Sequence, residues 1–253
     1  MIDPKPEWPV AFFDEDYLRI YRPQFTPERT AAETRFIADA LRAPAGGDVL
    51  DLACGFGRHA IGMAKLGYNV TGLDFNPRYL EIAAEDAAAA GARVTWRTGD
   101  MRALGFDRAF DAVYSYFTSF GYFDDDENEQ VLVGIAKALR PGGSVLLEMA
   151  NRDRLLTHPQ ERTWSQRDDG ALLMEEITLE WVTSRVISRQ HLIDPQGGTH
   201  VTKEFSLRTY TCAELSALLR RQGLNVRAVH GGIEGQPYMP DSRRLVLVAE
   251  RVR

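Results

Sequence analysis

The sequence predicts an α/β fold, in which a seven-stranded sheet carries helices on both faces and three antiparallel strands are inserted after the fifth strand. Three observations lead there. Short apolar runs alternate with helical stretches from residue 26 to residue 150. That rhythm then breaks into three long segments rich in β-branched and aromatic residues. A capped helix and two apolar strands close the chain, whose 253 residues, 44% of them hydrophobic, suffice for one large core.

The elements follow in order. Thr26 and Pro27 form an N-cap with proline at the first helical position. Phe36, Ile37, Ala40 and Leu41 then recur at helical spacing until Pro44 and the Gly46, Gly47 pair. The run DVLDLA is a buried strand, and residues 58–66 are a helix that Gly67 closes. NVTGLD is the second strand. Asn76 and Pro77 repeat the cap and proline, and the alanine-rich residues 79–90 continue to Gly91. RVTWRT and FDAVYS supply strands three and four. Residues 125–140 carry Val131, Leu132, Ile135, Ala138 and Leu139 on one helical stripe and stop at PGG, before the strand SVLLEM. Residues 171–181, 183–194 and 199–210 read as an antiparallel meander with turns including DPQGGT. Thr211 and Glu214 make a capping box for a helix running to Gly223, and NVRAVH and RLVLVAE are the last strands.

Composition narrows the partners. The formal net charge is -6 and the 30 Lys and Arg residues are scattered, so the basic stripe of a nucleic-acid binder is missing and a small molecule is the expected partner. Cys54 and Cys212 have neither paired nor metal-type spacing, and His59, His158, His191 and His200 show no ligand spacing, so reduced thiols and no metal are expected. No apolar run reaches the roughly 18 residues of a membrane span. The start MIDPKPEWPV lacks the regions of a signal peptide, which makes the cytoplasm the expected compartment.

The stretch VLDLACGFGRHA places two glycines, Gly55 and Gly57, just beyond the first strand. Main chain left bare there admits a ligand against the backbone. The spacing to Ala60 also fits a dinucleotide fingerprint, so these residues alone leave the cofactor open. In an open α/β sheet the ligand lies beyond the carboxyl ends of the strands. Ala53, Gly55 and Gly57 follow strand one; Asp74 ends strand two, where a carboxylate suits a ribose diol; GDM, Gly99 to Met101, follows strand three; and the aromatic run YSYFTSFGYF begins within strand four.

Five motifs in register, VLDLACGFG, VTGLDF, TGDMRAL, FDAVYSYF and LRPGGSVLLEM, resemble those of class I S-adenosylmethionine-dependent methyltransferases over roughly residues 30–150. The resemblance implies a Rossmann-like seven-stranded methyltransferase sheet, S-adenosyl-L-methionine as cofactor, and methyl transfer to an amine or hydroxyl of a small soluble molecule. It sets aside a nicotinamide dehydrogenase. An RNA or protein methyltransferase and a non-catalytic S-adenosylmethionine-binding module are the alternatives. One departure is Ala53, where the family has a glycine. Carried over residue by residue, the Ala53 to Gly57 backbone faces methionine and ribose, Asp74 the ribose hydroxyls, Phe75 the adenine face, Asp100 the adenine amino group, and Met101 the adenine. Asp51 either meets the methionyl ammonium through water or fixes the glycine loop. Arg58 and His59 are either exposed helix residues or contacts of the carboxylate, and Cys54 is a small buried residue.

The segments FDEDYLRIY and FTSFGYF, with the insertion, look like the small-molecule N-methyltransferases of nucleotide-linked amino sugars. That likeness implies four parts: a cofactor-covering segment 1–25, a cofactor-binding core 26–150, an insertion 151–210 on the acceptor side that is a candidate homodimer contact, and 211–253 completing the core. Tyr17 and Tyr21 would close the methionine end. Phe117, Thr118 and Tyr122 face the acceptor, with Glu148, Asn151, Arg152, Arg208, Tyr210 and His230 as further acceptor-side candidates. Tyr122, Tyr21 and His230 are the expected catalytic side chains, His230 being the best-placed histidine for proton transfer.

Overall fold

The computed structural model describes residues 12–167, 169–194 and 200–252. The DPQGGT turn lies largely outside them, as do the first eleven residues of the expected covering segment. In chain order the elements are α1 (Glu15–Tyr21), a 3-10 turn (Arg22–Gln24), α2 (Pro27–Leu41), β1 (Asp48–Leu52), α3 (Arg58–Lys65), β2 (Asn69–Asp74), α4 (Pro77–Ala89), β3 (Val94–Thr98) and β4 (Phe110–Ser115). They continue with α5 (Asp125–Ala138), β5 (Leu139–Ala150), α6 (Arg152–Thr157), β6 (Arg162–Gln166), β7 (Leu172–Glu180), β8 (Arg185–Ile193), β9 (His200–Arg208), α7 (Cys212–Arg221), β10 (Leu224–His230) and β11 (Arg244–Arg251).

The helix starts are built from the expected caps. Thr26 accepts from the Arg29 amide at 3.2 Å, Asn76 accepts from the Arg78 and Tyr79 amides, and Thr211 and Glu214 close a reciprocal capping box. Each satisfies backbone donors that a helix leaves unpaired at its first turn. Helix α1 was not expected from periodicity. It is short and starts on Asp14, whose Oδ1 accepts from the Asp16 and Tyr17 amides. Helix α5 ends two residues before the expected Arg140, because Leu139 already pairs with Phe110 in the sheet.

The seven-stranded sheet has the order β10-β11-β5-β4-β1-β2-β3. Pairs β1/β2, β2/β3, β1/β4 and β4/β5 are parallel, and β11 lies antiparallel between β5 and β10. Central strands are buried on both faces. Leu50 and Leu52 of β1 join Val131, Leu132 and Ile135 of α5 on one side, while Val49 joins Phe36, Ile37 and Leu41 of α2 and Met63 of α3 on the other. This two-sided burial is why the strands read as continuous apolar runs instead of alternating ones. The insertion is a separate antiparallel sheet β6-β7-β8-β9. It contains the three expected strands and a fourth, β6, a five-residue edge strand too short to announce itself by pattern. No helix among the described residues is long and apolar enough to cross a membrane.

Gly57 occupies the N-cap of α3 at φ +76°. A Cβ there would run into the Trp96 ring and come within 2.9 Å of Ala83 Cβ. Gly57→Ala is therefore expected to destabilise the fold by about 2–3 kcal/mol, through overpacking and left-handed strain. A thermal melt should show a midpoint lower by roughly 5–10 °C. An unchanged midpoint would mean that Trp96 moves aside freely.

Candidate active site

Strand order reverses between β1 and β4, since β1 is followed outward by β2 on one side and flanked by β4 on the other. Loops leaving the carboxyl ends of β1 and β4 therefore diverge and leave a crevice. A cavity of about 380 Å³ lies there. Ten of the expected site residues line it: Tyr17, Asp51, Ala53, Gly55, Asp74, Phe75, Asp100, Met101, Phe117 and Tyr122. Cys54, Arg58 and His59 line it too.

The floor is the turn after β1. Ala53, Gly55 and Gly57 all sit at positive φ, at 60°, 55° and 76°, so the chain folds back sharply between β1 and α3. Added atoms on Gly55 would meet nothing within 4 Å, so its bare face opens on the cavity. The Gly55 amide donates to Asp74 Oδ2 at 2.7 Å and the Asn76 amide to Asp74 Oδ1 at 2.9 Å. Asp74 is buried, which raises its carboxyl to about 6, although those amides pull in the opposite direction.

Asp51 is 3% exposed, and its Oδ2 is buried with no hydrogen-bond partner. Burial raises this carboxyl to about 7. Close by, Arg58 donates from Nη1 to Glu33, while its Nη2 is buried without a partner. Glu33 also accepts from Arg29 Nε at 2.9 Å and lies 3.0 Å from His59 Nε2. Burial pushes Glu33 up, but the His59 bond and the Arg58 charge outweigh it and hold the carboxyl at about 2. Burial lowers His59 to about 4, so the ring is neutral near pH 7. The Arg58 guanidinium lies 4.2 Å over the Phe25 ring.

The opposite wall is aromatic. Phe13 meets Tyr17 at 4.8 Å, Tyr122 at 5.6 Å and Phe75 at 5.8 Å between ring centroids. Phe117 meets Phe25 at 4.7 Å. The start of α1 and the residues before it bring Tyr17 and Phe13 over the cavity because Asn76 Nδ2 donates to the Phe13 carbonyl at 2.7 Å and Tyr79 donates to the Asp14 carbonyl at 3.2 Å. At the β3 end Asp100 is paired with Arg102 at 2.6 Å, and Arg102 also reaches Glu127.

Three of the expected catalytic and cofactor-binding residues do not line the cavity, and neither do the acceptor-side candidates Thr118 and Glu148. Gly57 is turned to Trp96, as above. Tyr21 stands behind Tyr17, with ring centroids 4.5 Å apart, and its hydroxyl accepts from Gln190 Nε2 at 2.5 Å. His230 packs its ring on Phe36 and has Nδ1 3.3 Å from the Gly235 carbonyl. Other acceptor-side candidates serve the frame: Asn151 holds the carbonyls of Met239, Pro240 and Ser242, Arg152 reaches Ser184, Arg208 pairs with Asp125 and Glu214, and Tyr210 packs on Phe120. Sequence reading missed Glu33, Phe25 and Phe13. Glu33 carried a signal, since it lies three residues before Phe36 and four before Ile37, a charge on the apolar stripe of α2.

The cavity's chemistry fits an adenosyl sulfonium amino acid. A buried carboxylate oxygen without a partner suits an ammonium, a buried guanidinium nitrogen without one suits a carboxylate, and the carboxylate of Asp74 suits a vicinal diol. Known proteins agree. The family described as "Methyltransferase domain" matches residues 49–143. The chain is 30% identical over 211 residues to the cypemycin N-terminal methyltransferase of a Streptomyces species, covering 81% of this chain and 84% of that one. It is 29% identical over 212 residues to dTDP-3-amino-3,4,6-trideoxy-alpha-D-glucopyranose N,N-dimethyltransferase of Streptomyces venezuelae, covering 81% and 88%. The crystal structure of Streptomyces venezuelae DesVI superposes with a TM-score of 0.69 at 26% identity, over 96% of this chain and 98% of that one. The likeness to CcbJ of Streptomyces caelestis, a TM-score of 0.77 at 23% identity over 90% and 91%, is one of fold. With these relatives and this cavity, the chain belongs to the class I S-adenosylmethionine-dependent methyltransferases, and S-adenosylmethionine is its cofactor.

Proposed function

We propose that this enzyme methylates the nitrogen of a small-molecule amine. The aromatic end of the cavity carries this reading. Burial raises the phenols of Tyr17 and Tyr122 above their ordinary range, so both stay protonated near pH 7. His59, the imidazole among the lining residues, is held as the neutral partner of Glu33. A hydroxyl acceptor needs a base to take its proton during attack, whereas a neutral amine attacks through its lone pair. An apolar, water-poor wall also favours the uncharged amine over its ammonium. Of the relatives, one is named an N-terminal methyltransferase of cypemycin and one an N,N-dimethyltransferase of a dTDP-linked amino sugar.

S-adenosylmethionine, when bound, supplies a methyl group made electrophilic by its sulfonium. The chain's own residues orient and enclose. Asp74 accepts from the ribose hydroxyls, Asp51 faces the ammonium and Arg58 Nη2 the carboxylate, while Phe75 and Met101 flank the base. Asp100, with its carboxylate partly committed to Arg102, stands at the adenine edge. The roof of Phe13 and Tyr17, with Phe117 and Tyr122, excludes water and presents ring faces to cationic groups. Orientation alone can supply roughly 7–11 kcal/mol of a barrier, so no nucleophile on the enzyme is required. Residues 12–25 act as the cofactor cover and the four-stranded sheet forms the acceptor side, where a second copy would dock.

A labelled-methyl screen tests the reading. Amino sugars, small aliphatic amines and peptides with a free α-amine are expected to take up label, and catechols, phenols and sugar hydroxyls are not. Uptake confined to hydroxyl compounds, RNA or folded protein would overturn it.

A further inference from the structure

Strand β5 contains an acid whose neighbours along the chain, Leu147 and Met149, are apolar. In SVLLEM, Glu148 is 2% exposed, on the same face as Leu146, whereas Leu147 and Met149 belong to the opposite core. A carboxylate buried there must be compensated. Its compensation comes from the loop after β4 and the start of β11. Glu148 Oε2 accepts from the Phe117 amide at 2.6 Å and the Thr118 amide at 3.3 Å. Oε1 takes Arg244 Nε, and Arg244 Nη2 donates to the Thr118 hydroxyl at 2.6 Å. The Thr118 amide also reaches the Glu148 carbonyl at 3.2 Å.

Those two amides belong to the only adjacent non-glycine residues in the left-handed region among the described residues, Phe117 at φ 67° and Thr118 at φ 60°. For a β-branched threonine and a bulky phenylalanine this conformation is unfavourable and persists only where surroundings impose it. The carboxylate imposes it, since in the left-handed turn successive N–H groups converge on one anion. The turn in turn sets Phe117, whose ring lines the cavity beside Phe25 and lies 6.3 Å from Tyr21.

We propose that Glu148 is a positioning residue of the cofactor cavity, acting through the left-handed Phe117–Thr118 turn that it holds. This rests on reading the cavity as the S-adenosylmethionine site. Without the carboxylate the two residues relax to negative φ and Phe117 leaves the wall.

Calorimetry with S-adenosylhomocysteine and amide hydrogen exchange test it together. Glu148→Gln is expected to weaken binding about 5- to 20-fold and to speed exchange at Phe117 and Thr118 at least about tenfold. Adding Thr118→Gly to that variant should restore affinity to within about threefold of wild type, because glycine adopts the turn without strain. A residue that merely fills space gives no such rescue. Should Glu148→Gln not fold with Arg244 left unpaired, Glu148→Gln with Arg244→Gln carries the same expected loss and the same rescue. Affinity within about twofold of wild type, or a loss that Thr118→Gly does not recover, overturns the proposal. If the wild type binds neither S-adenosylmethionine nor S-adenosylhomocysteine, the cavity reading fails and the proposal with it. The exchange rates then still report separately whether Glu148 holds the turn.

Discussion

Asp74→Ala is expected to weaken S-adenosylmethionine binding by about 10²-fold, because a hydrogen bond to a charged group is worth roughly 1.5–3 kcal/mol and the carboxylate can serve two ribose hydroxyls. Part of the loss comes through the loop. Asp74 also holds the amides of Gly55 and Asn76, so alanine frees the floor of the cavity as well as removing the ribose partner. Asp74→Asn keeps the shape and one acceptor oxygen, and its loss should be nearer tenfold. Titration calorimetry measures both. Affinity unchanged by either substitution would remove Asp74 from the site.

Cofactor affinity is also expected to depend on pH through Asp51. Burial holds this carboxyl at about 7 in the free protein, so below that pH it is mostly protonated. The cofactor's ammonium favours the ionised form, which lowers the carboxyl's pKa in the complex. Binding below pH 7 must then expel a proton. Affinity should therefore fall as pH drops through 7, approaching about tenfold per pH unit. Calorimetry at pH 6 in buffers of different ionisation enthalpy should register up to about one released proton, and release should give way to uptake above about pH 8, where the cofactor's own amino group must gain a proton to pair with Asp51. Asp51→Asn should flatten the profile between pH 6 and 7 while leaving binding weak at every pH. A wild-type profile flat from pH 5.5 to 8 would show that the acid fixes the loop and does not meet the cofactor's charge. Asp74, raised to about 6, adds to the slope below that value with the same sign.

Both acids stood out in the sequence because each follows a rule tied to its own strand. Asp74 closes NVTGLD just before a capped helix, and Asp51 lies in the strand preceding the bare glycine turn. Gly57 was legible as a residue in need of freedom, which it uses at φ +76° in the turn while its Cα packs against Trp96. His230 illustrates the converse. Its position at the tip of β10 suggested proton transfer, yet β10 is the far edge of the sheet, four strands from β1. Strand order, which sequence alone left open, decided its distance from the cavity.

Local pattern alone was enough for the succession of strands and helices, the caps that start them, and the sharp glycine turn after β1 that the cavity uses as its floor, because each depends on neighbours a few residues apart. The tertiary structure decided which distant groups share one space. Glu33 reaches Arg58 across 25 residues, Glu148 reaches Phe117 across 31, and Phe13 meets Asn76 across 63. Periodicity records only which face of an element is buried. What that face meets is fixed when strands pair and helices dock, so buried charges find partners that local pattern does not encode.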